Sequence, residues 1–305
     1  MVEPTHRVIL DTDIGTDVDD ILALAVLLGS EEVRIEGVTT VYGDVELRTR
    51  MVAKMLKLRG VTSVPVYEGT VNPLLNLDPI YWPGHEGIGL LQDGEELTPS
   101  SPQHAVDFLI EHVRSNPGEI TLLAVGPLTN VAMAILRDPL FVLNLKRLVI
   151  MGGRIATFEA SGTTAEHNIK CDPEAAHVVF ASGATIELVP LDVTLRAVIR
   201  QNGVEVLRSR NSPYHQALAD QVSLYPPFAE RGGSTFLHDP LAALAVLQPE
   251  LLTWTPFHIE VELGGRLTRG MTVATTSKDG ISNVSVAMDL DVAACEACIL
   301  KQMAS

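Results

Sequence analysis

The stretch DTDIGTDVDD, Asp11 to Asp20, places five aspartates in ten residues directly after the apolar run VIL. Carboxylates this close repel one another, and two arrangements tolerate that. One is a solvated acidic loop, the commonest meaning of a charge run. The other is a hard cation, which gathers oxygen ligands and neutralises them. Further along stand GPLTN after ITLLAV, AEHN after a polar loop, and HDP ahead of another apolar run. Carboxylates, amides, a hydroxyl and a histidine recur beside apolar stretches. That is where a parallel sheet keeps its ligands, outside the carboxyl ends of its strands.

The elements that must position these groups follow from periodicity. RVILD reads as a strand and DDILALAVLLGS as a buried helix opening on carboxylates. VRIEGVTTVYG, VPVYEG, ITLLAVG, RLVIMGG and TIELVP read as further strands. LRTRMVAKMLKLRG, PQHAVDFLIEHVRSN, LTNVAMAILRD, DPEAAHVVFASG and HDPLAALAVLQPE read as helices between or after them. Alternating strands and helices, with strands apolar throughout, predict an α/β fold whose mostly parallel central sheet carries helices on both faces. Two hairpin-like strands around VELGGRLTRGMTVA precede a last helix. Residues 70–102 dissolve into a loop long enough to be a lid or binding loop, and residues 202–234 read as helical and polar. No repeat or linker divides the chain, so a single domain over 1–305 is expected.

Composition narrows the partners. A formal charge of −16 over 305 residues, with no Lys/Arg cluster, excludes nucleic acid and an anionic membrane surface. No run has the length of a membrane span, and the first residues lack the basic and apolar regions of a signal peptide. Three cysteines do not make a disulfide framework. Cys295 and Cys298 form C-x-x-C within a helix-like stretch, which without a second pair reads as packing, zinc or redox work being the alternative. A reducing cytoplasm is the expected compartment.

VILDTDIG…DDILAL, TTVYGD, GHEGIG, AVGPLTNVAMA, MGG, AEHNIKCDPEAA, HDPLAAL and LTRGMTV occur in that order over nearly the whole chain. In this set and spacing the chain resembles nucleoside hydrolases of the inosine–uridine-preferring kind. The resemblance implies a Ca²⁺-dependent enzyme that cleaves a ribonucleoside into ribose and free base, working as a homodimer or homotetramer. It implies that Asp13 binds Ca²⁺ and is the general base on the attacking water. Asp20, Asp239 and the carbonyl of Val125 would complete the metal site. Asp19 would hold ribose hydroxyls, and Glu166 and Asn168 the outer ones. His238 would stand near the leaving base and donate a proton. His85 would line the base pocket, with Trp82, Tyr225 and Phe228 as possible neighbours or packing residues.

The chain departs from the family's pattern in three places. The usual opening is D-x-D-P-G-x-D-D, whereas here Ile14 replaces Pro and two extra residues precede the final pair. Asp19 and Asp20 align with that pair because the apolar helix follows them directly. Asp17 is then an extra carboxylate, read as a loop or cap residue. Asp44 stands where Asn is usual, so a ribose-side contact changes from donor to acceptor. Ala160 falls where another Asn is usual.

Two other classes compete. A haloacid-dehalogenase-type phosphatase also opens on D-x-D, but needs Thr or Val where Gly15 stands and leaves GPLTN, AEHN and HDP without a purpose. An EF-hand read from Asp11 would have Thr16 and Leu22 in place of its Gly and Glu. A catalytically silent nucleoside or sugar binder on the same fold is the remaining alternative, and the presence of Asp13 and His238 argues against it.

Overall fold

Val8 and Leu10 belong to one buried apolar layer and Ile9, between them, to another. Leu123 and Leu122 divide in the same way, as do Val149 and Leu148. Successive strand side chains face opposite ways, so strands apolar throughout need cover on both faces. In the computed structural model, which describes residues 5–75, 86–98, 100–156, 165–276 and 282–305, both faces receive it.

The first half of the chain contains β1 (His6–Thr12), α1 (Asp19–Gly29), β2 (Val33–Thr40), α2 (Val45–Arg59), β3 (Val66–Tyr67), α3 (Ala105–Ser115), β4 (Ile120–Ala124), α4 (Thr129–Arg137), α5 (Phe141–Asn144) and β5 (Arg147–Met151). Then come α6 (His167–Cys171), α7 (Pro173–Phe180), β6 (Ile186–Val189), α8 (Leu191–Thr194), β7 (Val198–Arg200), α9 (Gln201–Ser209), α10 (Pro213–Leu224), α11 (Pro226–Glu230) and β8 (Ser234–Phe236). The chain ends with α12 (His238–Leu247), β9 (Leu252–Val261), β10 (Thr272–Thr275), β11 (Val284–Leu290) and α13 (Val292–Met303).

Nine strands form one sheet in the order β10-β9-β11-β6-β5-β4-β1-β2-β3. From β11 to β3 all neighbours are parallel; β9 runs antiparallel to β11, and β10 to β9. The expected hairpin is therefore the β9–β10 edge of the main sheet. It is joined there by β11, VSVAMDL, a strand that the apolar periodicity of the sequence does not announce. Helices α1, α2, α9, α10, α12 and α13 supply one layer, and α3, α4 and α7 the other.

The chain moves outward from β1 to β2 and β3, then returns past β1 to β4 and continues to β5 and β6. Loops leaving β1 and β4 consequently part in opposite directions and open a crevice between them, the switch point where such sheets bind ligands. Both motif-bearing strand ends lie there. The polar segment after β6 is helical for α9, α10 and α11, but it also contains the small antiparallel ribbon β7–β8. Among the described residues, no helix is long and apolar enough to cross a membrane.

Candidate active site

Backbone pairing carries the first acidic loop to the crevice. Asp11 is in register with Ala124, and Val125 N donates to the Asp11 carbonyl at 2.9 Å. The chain leaving β4 then lies against Asp13 so closely that a Cβ on Gly126 would sit 2.8 Å from Asp13 Oδ1. Only glycine permits that approach. The Asp13–Thr16 turn is held from below by Arg48 of α2, which is almost fully buried. Arg48 donates to the carbonyls of Asp13 and Ile14, to Thr16 Oγ1 at 2.8 Å and to the Tyr42 carbonyl at 2.7 Å. A planar guanidinium with five donors suits such a set of fixed oxygens.

Two buried helices deliver the rest of the acidic group. Asp19 and Asp20 occupy the first turn of α1, and His238 and Asp239 the first turn of α12. The two helices pack side by side, so their amino ends, where the dipole favours negative charge, meet. One carboxylate oxygen each from Asp19, Asp20 and Asp239 lies within 4.8 Å of the others. Asp239 N donates to Asp19 Oδ2 at 3.2 Å, and the Thr12 hydroxyl donates to Asp20 Oδ1.

The electrostatics of this group are unfavourable as it stands. Burial, then repulsion from neighbouring aspartates, pushes Asp19, Asp20 and Asp239 well above the ordinary carboxylate range. Burial also raises Asp13, against the opposing charge of Arg48, and lifts Asp11 to about 7. A divalent cation among Asp13, Asp19, Asp20 and Asp239 would oppose the upward shifts of these four, and an all-oxygen donor set suits a hard one.

Facing the aspartates, Glu166 caps α6. Its carboxylate accepts from Gly153 N at 2.9 Å, Asn168 N at 2.8 Å and Ile169 N at 3.1 Å. That capping explains why AEHN opens a helix rather than ending a loop. Asn168 Nδ2 donates to the Val125 carbonyl at 2.6 Å, which ties β4 to α6 across the sheet ends. On another wall, His238 Nδ1 lies 2.7 Å from Thr194 Oγ1. Burial lowers its pKa to about 4, so the imidazole is neutral at pH 7. Tyr225 donates its hydroxyl to Asp17 Oδ2 at 2.7 Å. These groups line one cavity of about 210 Å³, with Asp13, Asp17, Asp19, Asp20, Glu166 and Asp239 as its carboxylates.

The chain that carries this arrangement, a carboxylate beside a buried acidic triad and a histidine, has relatives among known proteins. The family model for inosine-uridine preferring nucleoside hydrolases matches residues 8–297. The chain belongs to that family. It is a hydrolase acting on the N-glycosyl bond of ribonucleosides. It is 33% identical to uridine nucleosidase 1 of Arabidopsis thaliana, over 94% of this chain and 90% of that one. It is 32% identical to the inosine-uridine preferring nucleoside hydrolase of Leishmania major, over 94% of each. A solved purine-preferring ribonucleoside hydrolase from Gardnerella vaginalis superposes with a TM-score of 0.88 at 30% identity, covering 98% of both chains. The three names differ in the base.

Of the residues read from the sequence, the hydrolase brings Asp13, Asp19, Asp20, Val125, Glu166, Asn168, His238 and Asp239 to the cavity. Asp44 stands apart from it: it is exposed and caps α2, accepting from Leu47 N at 3.0 Å. Asp17, read as a loop or cap residue, lies in the loop before α1 and also lines the cavity, as does Tyr225, whereas Phe228 is buried in the apolar layer. His85, Trp82 and Ala160 lie outside the described residues. The reading from sequence gave no role to Arg48, Thr12 or His167. Arg48 did carry a signal, since it shares the α2 stripe of Val52 and Met55 at helical spacing, a place where a charge needs a reason. His167, with Cys171 Sγ 3.5 Å from its Nε2, lies within the AEHN motif itself.

Proposed function

We propose that the chain hydrolyses ribonucleosides of the uridine or inosine type to ribose and free base, with Ca²⁺ as its cofactor. The observation that carries this reading is the buried convergence of Asp19, Asp20 and Asp239 beside Asp13 in a cavity also lined by Glu166, Asn168 and His238. Asp20, Asp239, Asp13 and the Val125 carbonyl would hold the ion; that carbonyl retains a second lone pair beyond the one taken by Asn168. When bound, the ion supplies positive charge that offsets the aspartates and polarises water near Asp13.

Asp13 Oδ then takes the proton of the attacking water as it approaches the anomeric carbon, general-base work worth about 10²–10⁴-fold. Asp19, Glu166 and Asn168 hold the ribose hydroxyls. Their contacts strengthen as the ring flattens towards an oxocarbenium-like transition state, the differential binding that accelerates chemistry. His238 stands at the leaving base. The Thr194 hydroxyl holds the ring through Nδ1; to give the departing base a proton the ring must first gain one, which burial opposes and the nearby Asp17 carboxylate favours.

The test is ribose release from uridine, inosine, cytidine and adenosine, and from their 2′-deoxy forms. Ribonucleosides should turn over and deoxy forms should be rejected strongly, because a missing hydroxyl leaves buried polar groups unpaired. Comparable kcat/KM for inosine and 2′-deoxyinosine would remove the ribose roles. His238→Ala should cripple natural nucleosides but spare a nitrophenyl riboside, whose leaving group departs without a proton. Three free thiols, Cys171, Cys295 and Cys298, suit the reducing cytoplasm taken as its compartment. A homodimer or homotetramer is the proposed assembly, to be checked by sedimentation.

A further inference from the structure

Among the described residues, LTRGMTV contributes none to the cavity lining, yet it holds the segment that carries Glu166. Thr272 opens β10, at the edge of the sheet, and is buried. Its hydroxyl accepts from Arg154 N at 2.9 Å and donates to the Arg154 carbonyl at 2.6 Å, across 118 positions of chain. Gly270, at φ +82°, fits against α6 so closely that a Cβ there would lie 2.9 Å from Lys170 Cα. Arg269 Nη2 reaches both oxygens of Glu174 in α7, at 2.6 and 2.7 Å. One short stretch thus holds the chain leaving β5 and the helices that follow it.

Past β5, successive backbone amides find side-chain acceptors rather than strand or helix partners. Gly153 N donates to Glu166 Oε2 at 2.9 Å and Arg154 N to Thr272. Ile155 N and Ala156 N donate to the two oxygens of Asp192, each at 2.7 Å. Glu166 also takes Asn168 N and Ile169 N. Of the roughly four lone-pair sites of a carboxylate, about one is then left for a substrate hydroxyl. Where it points depends on where Gly153 N stands. Gly153 adjoins the residue that Thr272 fixes at both its amide and its carbonyl.

We propose that Thr272 is a positioning residue for ribose recognition. Its hydroxyl fixes the Arg154 backbone, the neighbouring Gly153 amide then aims the Glu166 carboxylate, and an edge strand of the sheet thereby sets the strength of a ribose contact. This inference rests on the nucleoside-hydrolase reading, with Glu166 as a ribose ligand, and gives the LTRGMTV motif its purpose.

The experiment measures kcat and KM for inosine and uridine with wild type, Thr272→Val, Thr272→Ser, Glu166→Ala and the double variant of Thr272→Val with Glu166→Ala. Val keeps the shape of Thr and loses both hydrogen bonds, whereas Ser keeps the hydroxyl. Thr272→Val should lose about tenfold in kcat/KM, mostly in kcat, because the ribose contact strengthens in the transition state. Thr272→Ser should stay near wild type. The double variant should be no worse than Glu166→Ala, since no carboxylate remains to be aimed. Ca²⁺ affinity by titration calorimetry should be unchanged in both Thr272 variants. Equal losses in Thr272→Val and Thr272→Ser would overturn the proposal, as would unchanged turnover in Thr272→Val. So would a double variant whose loss multiplies those of its parents, which would leave Thr272 a packing residue. Should Thr272→Val not fold, amide exchange in the wild type decides. Gly153 and Arg154 as slow to exchange as β5 would support the anchor, and free exchange would overturn it. Inactivity of the wild type on every nucleoside would instead refute the hydrolase reading itself.

Discussion

Glu36 and Asp20 are both nearly sealed from solvent, at 8% and 3% exposure, and their surroundings treat them oppositely. Glu36, in β2, has Arg7 Nε at 2.6 Å, Arg34 Nε at 3.1 Å and His112 Nε2 at 3.1 Å. Burial alone would raise it, but the Arg7 and Arg34 guanidiniums, with His112 beside them, outweigh burial and hold it below the ordinary carboxylate range. Asp20 has the Thr12 hydroxyl and, for neighbours, more carboxylates; burial and Asp13 drive it far upward. One site is complete within the polypeptide. The other is a set of charges that the chain itself leaves uncompensated, and folding retains it at a cost to stability. A buried carboxylate held downward by cations belongs to the scaffold, and a group of buried carboxylates crowded together and shifted upward is a candidate place for a bound cation.

Removing the missing charge should have the largest effect. Prolonged chelation, or Asp239→Asn, should take ribose release to background. Restored Ca²⁺ should rescue the chelated wild type alone. Full activity in rigorously metal-free protein would erase the contrast with Glu36. Binding confined to the native state also stabilises it, by about 2.7 kcal/mol at a hundredfold excess over Kd, so melting should shift down on chelation. Next comes Asp13→Asn, expected to keep the fold and lose about 10²–10⁴-fold in kcat; turnover close to wild type would assign the base elsewhere.

The pH dependence of melting sharpens the comparison further, because the two sites carry opposite signs. Asp20 and Asp239 are raised in the folded state, so their contribution is fully present below the unfolded value near 3.8 and is lost as pH rises through the raised folded values. Metal-free wild type should therefore gain Tm relative to metal-free Asp239→Asn on acidification from pH 8 towards 5. Glu36 is lowered, so its contribution is present above 4.5 and is lost as pH falls through its folded value. The smallest effect is that of Glu36→Gln, a loss of about 1 kcal/mol, or a few degrees of Tm, with kcat unchanged. A fall in kcat at constant metal affinity would show that the scaffold site reaches the chemistry.

The strands from RVILD to TIELVP were legible because each is a short apolar run bounded by helix signals, and the switch point followed from their succession. VSVAMDL was not, because its strand identity depends on pairing with β6 and β9, partners distant in the chain. The acidic residues were legible through composition and motif order. What spacing could not convey was which carboxylates end up together. Asp19 joins Asp20 and Asp239 through α1–α12 packing, and Asp44 turns away because a helix start claims its side chain first. The Asp17–Tyr225 bond spans most of the chain, and no local pattern announces it.

The pairing of α1 with α12 also bears on how the protein is made. Every residue of α1 from Asp19 to Leu27 is buried, so the helix has no face fit for water. Its partner begins at His238, and the β4 strand that seats its loop begins at Ile120. A growing chain must therefore carry an almost wholly apolar helix, exposed or mispaired, until the last quarter of the polypeptide has been synthesised. Long-range contacts of this kind fold slowly and leave sticky surface open meanwhile. The acidic residues at the start of that helix, useless for metal binding until Asp239 arrives, are in the interim the main charge keeping the segment in solution.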